Sequence, residues 1–339
     1  MSKSRSVTVY SCLLAVGLSL QFFSPVTANA SPEYLIKFAT VAPEGSTWMK
    51  HMRALDKEVM EKSGGRLGFR IYAGGIVGDE LDVLKKIRIG QIHCAAFTGV
   101  GFGHILPMVR VMDLPFLFRN DEEVDLVHRE LRPFFAEQFR KKGFELLGWA
   151  EVGNVNLFSK QPIREVRDLS GLKVWTWSGD PIAKETFVAM GINPIPLAIT
   201  DVTTALSTGM IDTVYAPPLG ALALQWQTSL KYMMALPLVH STGAVLISSN
   251  YIQKLPPDLR ELLISIFDKA MKELMLDLRR QNTEAIKIIQ DSGLEIISMP
   301  KGEALKEFYA VHVKVAEHLT NKIYPKELLE RVYKILNRS

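Results

Sequence analysis

The chain has 339 residues, 47% of them hydrophobic, and a formal charge of +4; that is ample material for the cores of two domains. Its 40 basic and 36 acidic residues are interspersed, with no basic block, which argues against a nucleic-acid partner. Of the two cysteines only Cys94 lies beyond the N-terminal segment, so an intrachain disulfide is excluded once that segment is removed.

In chain order, residues 1–30 read as a secretory signal. Lys3 and Arg5 give a positive start, 7–26 is dominated by apolar and small residues, and Ala28-Asn29-Ala30 is a small-residue exit. Ser19 and Gln21 interrupt the apolar stretch, which is short for a retained anchor. Cys12 precedes most of that stretch, so it is not placed to become a lipid-bearing N-terminus. Cleavage is expected after Ala30, and no later run is long enough to span a bilayer.

A strand is predicted over 34–40 and a helix over 47–62, where Met49, Met52, Leu55 and Val59 recur on one face; Gly64-Gly65 stops it. A strand over 67–72, a glycine-rich turn at 74–78, a helix over 79–89 and an apolar strand over 92–97 follow, with Cys94 as a buried small residue. This alternation specifies a parallel sheet with helices on its faces. A second half repeats the theme: strands over 144–148 and 172–177, a helix over 181–190, an extended piece over 193–197, a helix over 201–208 with Thr200 as its N-cap, and a strand over 211–215 broken by Pro217-Pro218. Apolar residues at helical spacing then run from 258 to 290, including Leu259, Leu263, Ile266, Leu274 and Leu278. A helix of that length is longer than one small lobe needs. A strand over 294–297 and helices over 303–322 and 325–336 close the chain.

The residue patterns offer no chemistry. Gly99-Val100-Gly101-Phe102-Gly103 fits neither phosphate-loop spacing, and its glycines are expected to admit a ligand or a facing lobe closely. The seven histidines are scattered, with no H-E-x-x-H and no paired Cys/His spacing, so no metal or other cofactor is expected. No serine sits in a G-x-S-x-G turn. A secreted hydrolase therefore has nothing specific behind it.

Four segments resemble the solute receptors of TRAP transporters, the tripartite ATP-independent periplasmic systems, of the DctP type. They are Gly75-Ile76-Val77-Gly78-Asp79-Glu80 with Leu84, Arg88, Gly90 and Ile92; Leu114-Pro115-Phe116-Leu117-Phe118-Arg119; Pro162-Ile163 with Asp168-Leu169-Ser170-Gly171-Leu172-Lys173-Val174; and Asn193-Pro194-Ile195-Pro196 through Ala205-Leu206-Ser207-Thr208-Gly209 and Ile211-Asp212 to Pro217. The resemblance implies a two-lobed α/β periplasmic-binding-protein fold with a hinge, each lobe a mainly parallel sheet flanked by helices, and a long C-terminal helix bracing both. It puts lobe one at 31–152 plus 241–281 and lobe two at 153–240 plus 282–339. It further implies a periplasmic receptor without enzymatic activity, which captures a small molecule in the inter-lobe cleft and delivers it to a permease with a large and a small membrane subunit. Open α/β sheets independently place ligands where loops converge at strand ends, which picks out 41–48, 97–103, 175–181 and 215–219.

One departure bears on the ligand. Most receptors resembling this one hold a carboxylate with an arginine just after the strand that matches Leu172-Lys173-Val174; here Trp175 follows. A second frequent arginine has no counterpart in 150–158, which offers Glu151, Asn154 and Asn156. Losing that bidentate fork removes about 1.5–3 kcal/mol, or one to two orders of magnitude in affinity for a carboxylate. Aromatic planes stand instead: Trp175 and Trp177, two apart and so on one face of a strand, and Tyr215, with Phe97, Thr98 and Trp48 from the first half. A neutral or hydrophobic ligand is expected, or a cationic one held through Glu151 or Asp180. Trp226 is assigned to packing. A carboxylate held by backbone N–H groups or Lys173 is the alternative, and a ligand sensor feeding a signalling receptor would use the same closure.

Overall fold

The computed structural model describes residues 31–338, which leaves the expected signal segment outside it. The first βαβαβ unit forms as the periodicity predicts: β1 (Tyr34–Ala39), α1 (Thr47–Lys62), β2 (Leu67–Tyr72), α2 (Glu80–Arg88) and β3 (Cys94–Thr98). Ser46 caps α1 by accepting from the Met49 N–H, and Asp79 caps α2. The glycine run after β3 is a short helix, α3 (Gly99–Ile105), not a loop, and a 3-10 turn over Pro107–Asp113 follows. Next come α4 (Asp121–Lys141), which the sequence reading missed, and β4 (Phe144–Ser159), three times as long as the strand expected at 144–148.

The second half carries β5 (Trp175–Trp177), α5 (Pro181–Ala189), β6 (Ile195–Leu197), α6 (Val202–Thr208), β7 (Thr213–Ala216), α7 (Pro218–Ala223) and β8 (Tyr232–Met234). Thr200 does not cap α6: it lies inside a 3-10 turn over Ile199–Asp201, and α6 starts without a side-chain cap. The chain returns through β9 (Val239–Ser248) and α8 (Ser249–Ile252), and ends with α9 (Pro257–Asp291), β10 (Glu295–Ile297), α10 (Gly302–Leu319) and α11 (Lys326–Ile335).

Two sheets share β4. The first has the order β2-β1-β3-β9-β4, and in the second β4 lies between β7 and β8, with β10 outside β8. The expectation of mainly parallel sheets needs correction. β1 is parallel to β2 and β3, and β10 to β8, but β9 is antiparallel to β3 and to β4, and β4 is antiparallel to β7 and β8. Strands that carry the chain from one sheet to the other need no crossover helix, so both sheets are mixed.

Helix α9 explains why β4 contains glycines. A Cβ on Gly148 would lie 2.7 Å from Met271 Cγ, and one on Gly153 would lie 2.6 Å from Asn282 Nδ2. Gly153 also has φ +112°, a backbone conformation that side chains resist. Two register shifts in the β4–β9 ladder fall at these glycines. Along α9, Leu259 to Leu278 pack into the core under β1 and β3, while Ile289 packs into the core of the second half with Trp226 and Met233. The helix thus braces both. At its middle Arg279 pairs with Glu151 of β4 and with Asp125 of α4. The last helix rests against α4, where Arg338 pairs with Glu123 at 2.5 Å, although the expected division gave 282–339 to the second lobe.

Candidate ligand-binding cleft

A cavity of about 480 Å³ opens where the loops after β1, β3, β5 and β7 converge, a volume suited to a small organic ligand. Its walls come from both halves: 40–50, 96–100 and the 110–115 turn on one side, 175–187 and 215–226 on the other. Trp48, Phe97, Thr98, Trp175, Trp177, Asp180 and Tyr215 all line it.

The aromatic wall is built on adjacent short strands. Trp175 stacks on Tyr215 with centroids 4.8 Å apart at 22°, and Trp226 meets Trp175 edge-on at 5.4 Å. Such pairs contribute about 1 kcal/mol each beyond the area they bury. The polar edges of these rings are occupied: Trp175 Nε1 donates to the Leu197 carbonyl, Trp226 Nε1 to Thr203 Oγ1, and the Trp177 backbone N–H to the Tyr215 hydroxyl. Burial pushes the Tyr215 phenol up, so it stays neutral. Trp226, assigned to packing, both packs and lines. Apolar side chains that the sequence reading did not single out, among them Phe187, Leu219, Leu222 and Leu238, complete the wall.

Two expected site residues lie elsewhere. Glu151 is fully buried outside the cavity, with Oε2 2.9 Å from Arg279 Nε, because the α9 brace needs a counter-charge there. Asn154 is exposed on β4 and bonds His240 Nδ1 at 3.2 Å; the bulge at Gly153 turns it away from the cleft.

The largest omission is Arg110. It lines the cavity at 4% exposure, with Nε 2.9 Å from Asp113 Oδ2 and Nη2 2.8 Å from Asp180 Oδ1. Burial opposes its charge, but Asp180 and Asp113 outweigh it and hold the pKa above the ordinary value. Burial pushes Asp113 up to about 6 despite Arg110. Asp180 is also the N-cap of α5, accepting from the Ile182 and Ala183 N–H groups through the same Oδ1. Its carboxylate is therefore engaged, not offered to a cation.

The glycines of α3 serve this cluster rather than a ligand. A Cβ on Gly99 would overlap Asp113 and crowd Arg110 Nε, and one on Gly103 would lie 2.7 Å from Arg110 Cδ. One on Gly101 would overlap Phe97 and sit 2.6 Å from Glu80 Oε2. Glu80, in the cavity floor, accepts from the Thr98 N–H and hydroxyl and from the Gly101 N–H, yet burial dominates and raises its pKa to about 8. The cleft thus holds one guanidinium facing the carboxyl groups of Asp180 and Asp113, and burial favours a proton on Glu80.

The halves also meet directly. Asp79 Oδ2, next to the α2 cap bond, accepts from Trp177 Nε1 at 2.8 Å and from the Ile199 N–H at 3.4 Å. His104 Nε2 lies 3.0 Å from the Gly179 carbonyl. No cluster of metal-ligating side chains occurs among the described residues, and no described helix is long and apolar enough to cross a membrane.

Two mixed sheets joined by a shared long strand, with a cavity between them, define a two-lobed periplasmic binding protein. The chain belongs to the DctP family, the bacterial extracellular solute-binding proteins of family 7, which it matches over residues 38–321; these are the solute receptors of TRAP transporters. Proteins of this family bind small molecules, work with TRAP permeases, occupy the periplasm and are transport proteins, not enzymes. A solute-binding protein of Chromohalobacter salexigens is 27% identical over 62% of this chain and 63% of its own length, so the match spans less than two thirds of that relative. The 2,3-diketo-L-gulonate-binding periplasmic protein YiaO of Escherichia coli is 24% identical over 87% of this chain and 88% of its own. Among solved structures, the sugar acid binding protein of Advenella mimigardefordensis in complex with galactonate superposes with a TM-score of 0.85 at 21% identity, covering 91% of this chain and 98% of that one.

Proposed function

We propose that this chain is the exported, periplasmic receptor of a TRAP-type secondary transporter, and that it closes on a neutral, largely apolar small molecule. One observation carries the ligand reading: the only guanidinium in the cavity wall among the described residues already faces two carboxylates, inside a wall otherwise made mostly of rings and aliphatic side chains. An ionised carboxylate ligand at that cluster would face Asp113 and Asp180 and find Arg110 already paired; the other cation in the lining among the described residues, Lys50, stands on the exposed face of α1. The cationic option is dropped, since Glu151 serves Arg279 and Asp180 serves Arg110. Lys173 does not rescue the carboxylate alternative: its Nζ donates to the Gly209 carbonyl on the exposed surface. Trp175, Trp177, Tyr215, Phe97, Thr98 and Trp48 are the proposed ligand-contacting residues.

We place the lobe division near Val152 and Ser241 on the two strands that pair across the hinge, and take the large and small permease subunits as the membrane partners, docking the closed form. The test is native mass spectrometry of the purified protein, followed by release and identification of the bound molecule. A neutral or apolar compound supports the reading. A sugar acid or dicarboxylate, the ligand type named for several relatives, overturns the ligand class and leaves the receptor role standing.

A further inference from the structure

The cleft contains an anion site that its own chain fills. Asp180 Oδ1 accepts from three donors that converge on one point: Arg110 Nη2 at 2.8 Å, the Ile182 N–H at 2.9 Å and the Ala183 N–H at 3.3 Å. A guanidinium together with two N–H groups of a helix start is a strong arrangement for a carboxylate. Both charged partners are more than nine-tenths buried, and both line the cavity. Gly99 and Gly103 on α3 leave the space that Asp113 and Arg110 fill, and Arg110 keeps a second carboxylate, Asp113, 2.9 Å from its Nε. Asp180 comes from the other lobe, 70 residues further along the chain.

We infer that Asp180 is the specificity-determining residue of the cleft: its side chain takes the place that a ligand carboxylate would occupy on Arg110, and thereby restricts the receptor to uncharged ligands. This rests on the neutral-ligand reading above. The tethered carboxylate has an entropic advantage over any free one, because its placement is set when the lobes close. Removing it leaves Arg110 with Asp113 alone, and exposes three donors to the cavity.

Two variants test this. Asp180→Gly deletes the carboxylate while glycine remains acceptable as an N-cap; Asp180→Asn keeps the cap and the shape and removes only the charge. Parent and variants, each confirmed folded by circular dichroism, are titrated by calorimetry with phenylacetate, with its uncharged counterpart 2-phenylethanol, and with acetate. Phenylacetate is expected to bind Asp180→Gly at least about tenfold more tightly than the parent, the factor for one charge-assisted hydrogen bond. Acetate, the fragment deleted, is expected to raise the melting temperature of Asp180→Gly and not of the parent. Affinity for 2-phenylethanol falls by whatever the lost Asp180–Arg110 bond contributes to closure, so the gain for the carboxylate is read as the ratio of phenylacetate to 2-phenylethanol affinity. Asp180→Asn is expected to move in the same direction by less. Folded variants with no gain for either carboxylate overturn the inference while leaving the neutral-ligand reading intact. A carboxylate found in the parent as purified overturns that reading instead, whatever the variants do.

Discussion

At the scale of single residues, the cleft depends on side chains whose ionisation is set by burial. Glu80 shows the sign clearly. Its folded pKa of about 8 lies above the ordinary 4.5, so between those values the folded protein keeps a proton that the unfolded chain has released. Stability must then fall as pH rises through this window, by up to about 1.4 kcal/mol per pH unit for one proton. Glu80→Gln, neutral at every pH, is expected to lose that share of the slope. Urea unfolding of both proteins at pH 5.5 and 7.5 checks it; an unchanged gap between them would mean that Glu80 is ionised in the fold. The residue scale is also where the sequence was hardest to read. Trp175, Trp177 and Tyr215 announced themselves as large rings at strand ends, and they line the cavity. Arg110 did not, because what matters about it is its partners, and Asp180 is far away in the chain. A signal was present: one arginine inside the apolar run from Leu106 to Leu117, with an aspartate three residues on, is the pattern of a buried pair, since arginine is seldom buried alone. Glu151 and Asn154 misled for a related reason. A loop acid or amide shows its chemistry in the sequence but not the direction in which a bulge points it.

At the scale of elements, α9 and β4 act as one unit. Helix periodicity over 258–290 revealed α9 almost to the residue, whereas β4 was read only as far as Gly148, where glycines and alternating burial ceased to look like a strand. Those glycines are what the helix presses on, so one element's sequence makes sense only with the other's structure. Glu151 is wholly inaccessible and depends on Arg279 for its counter-charge. Arg279→Ala is expected to destabilise the protein by about 3 kcal/mol, much of it the cost of an orphaned buried carboxylate. Adding Glu151→Gln to that variant is expected to recover part of the loss, as measured by urea denaturation. If the double variant is no better than the single one, packing of the Arg279 stem, not charge, carries the effect.

At the scale of the whole molecule, the two halves are joined by bonds that do not involve ligand. Asp79 joins the cap of α2 to the Trp177 indole in the opposite lobe. Asp79→Ser keeps a capping oxygen but is too short to reach the indole. Loss of one hydrogen bond to a charged group, about 1.5 kcal/mol, should shift the population towards the open form and weaken ligand binding about tenfold. Small-angle scattering of the ligand-free protein is expected to show a larger radius of gyration for the variant than for the parent. An unchanged radius together with unchanged affinity would mean that the Asp79–Trp177 bond does not bias closure. The two-lobed architecture was legible in the sequence because alternating strand and helix signals survive in both halves, although α4 and the stretch from α7 to α8 gave none. Strand direction was not, because it is decided by connections through space rather than by local pattern.

The glycine cradle of α3 has a consequence for how this receptor can diverge. Gly99, Gly101 and Gly103 are fitted to Arg110, Asp113, Glu80 and Phe97, so a new side chain at any of the three glycines collides with one of these neighbours unless it shifts. Changing ligand charge from that side requires several coordinated substitutions. Asp180 stands outside the cradle, at the first turn of α5, where asparagine, serine and glycine are all tolerated caps. From an aspartate codon, a single nucleotide change reaches asparagine or glycine; if Asp180 sets ligand charge as proposed, it is the short mutational route from an uncharged to an anionic cargo.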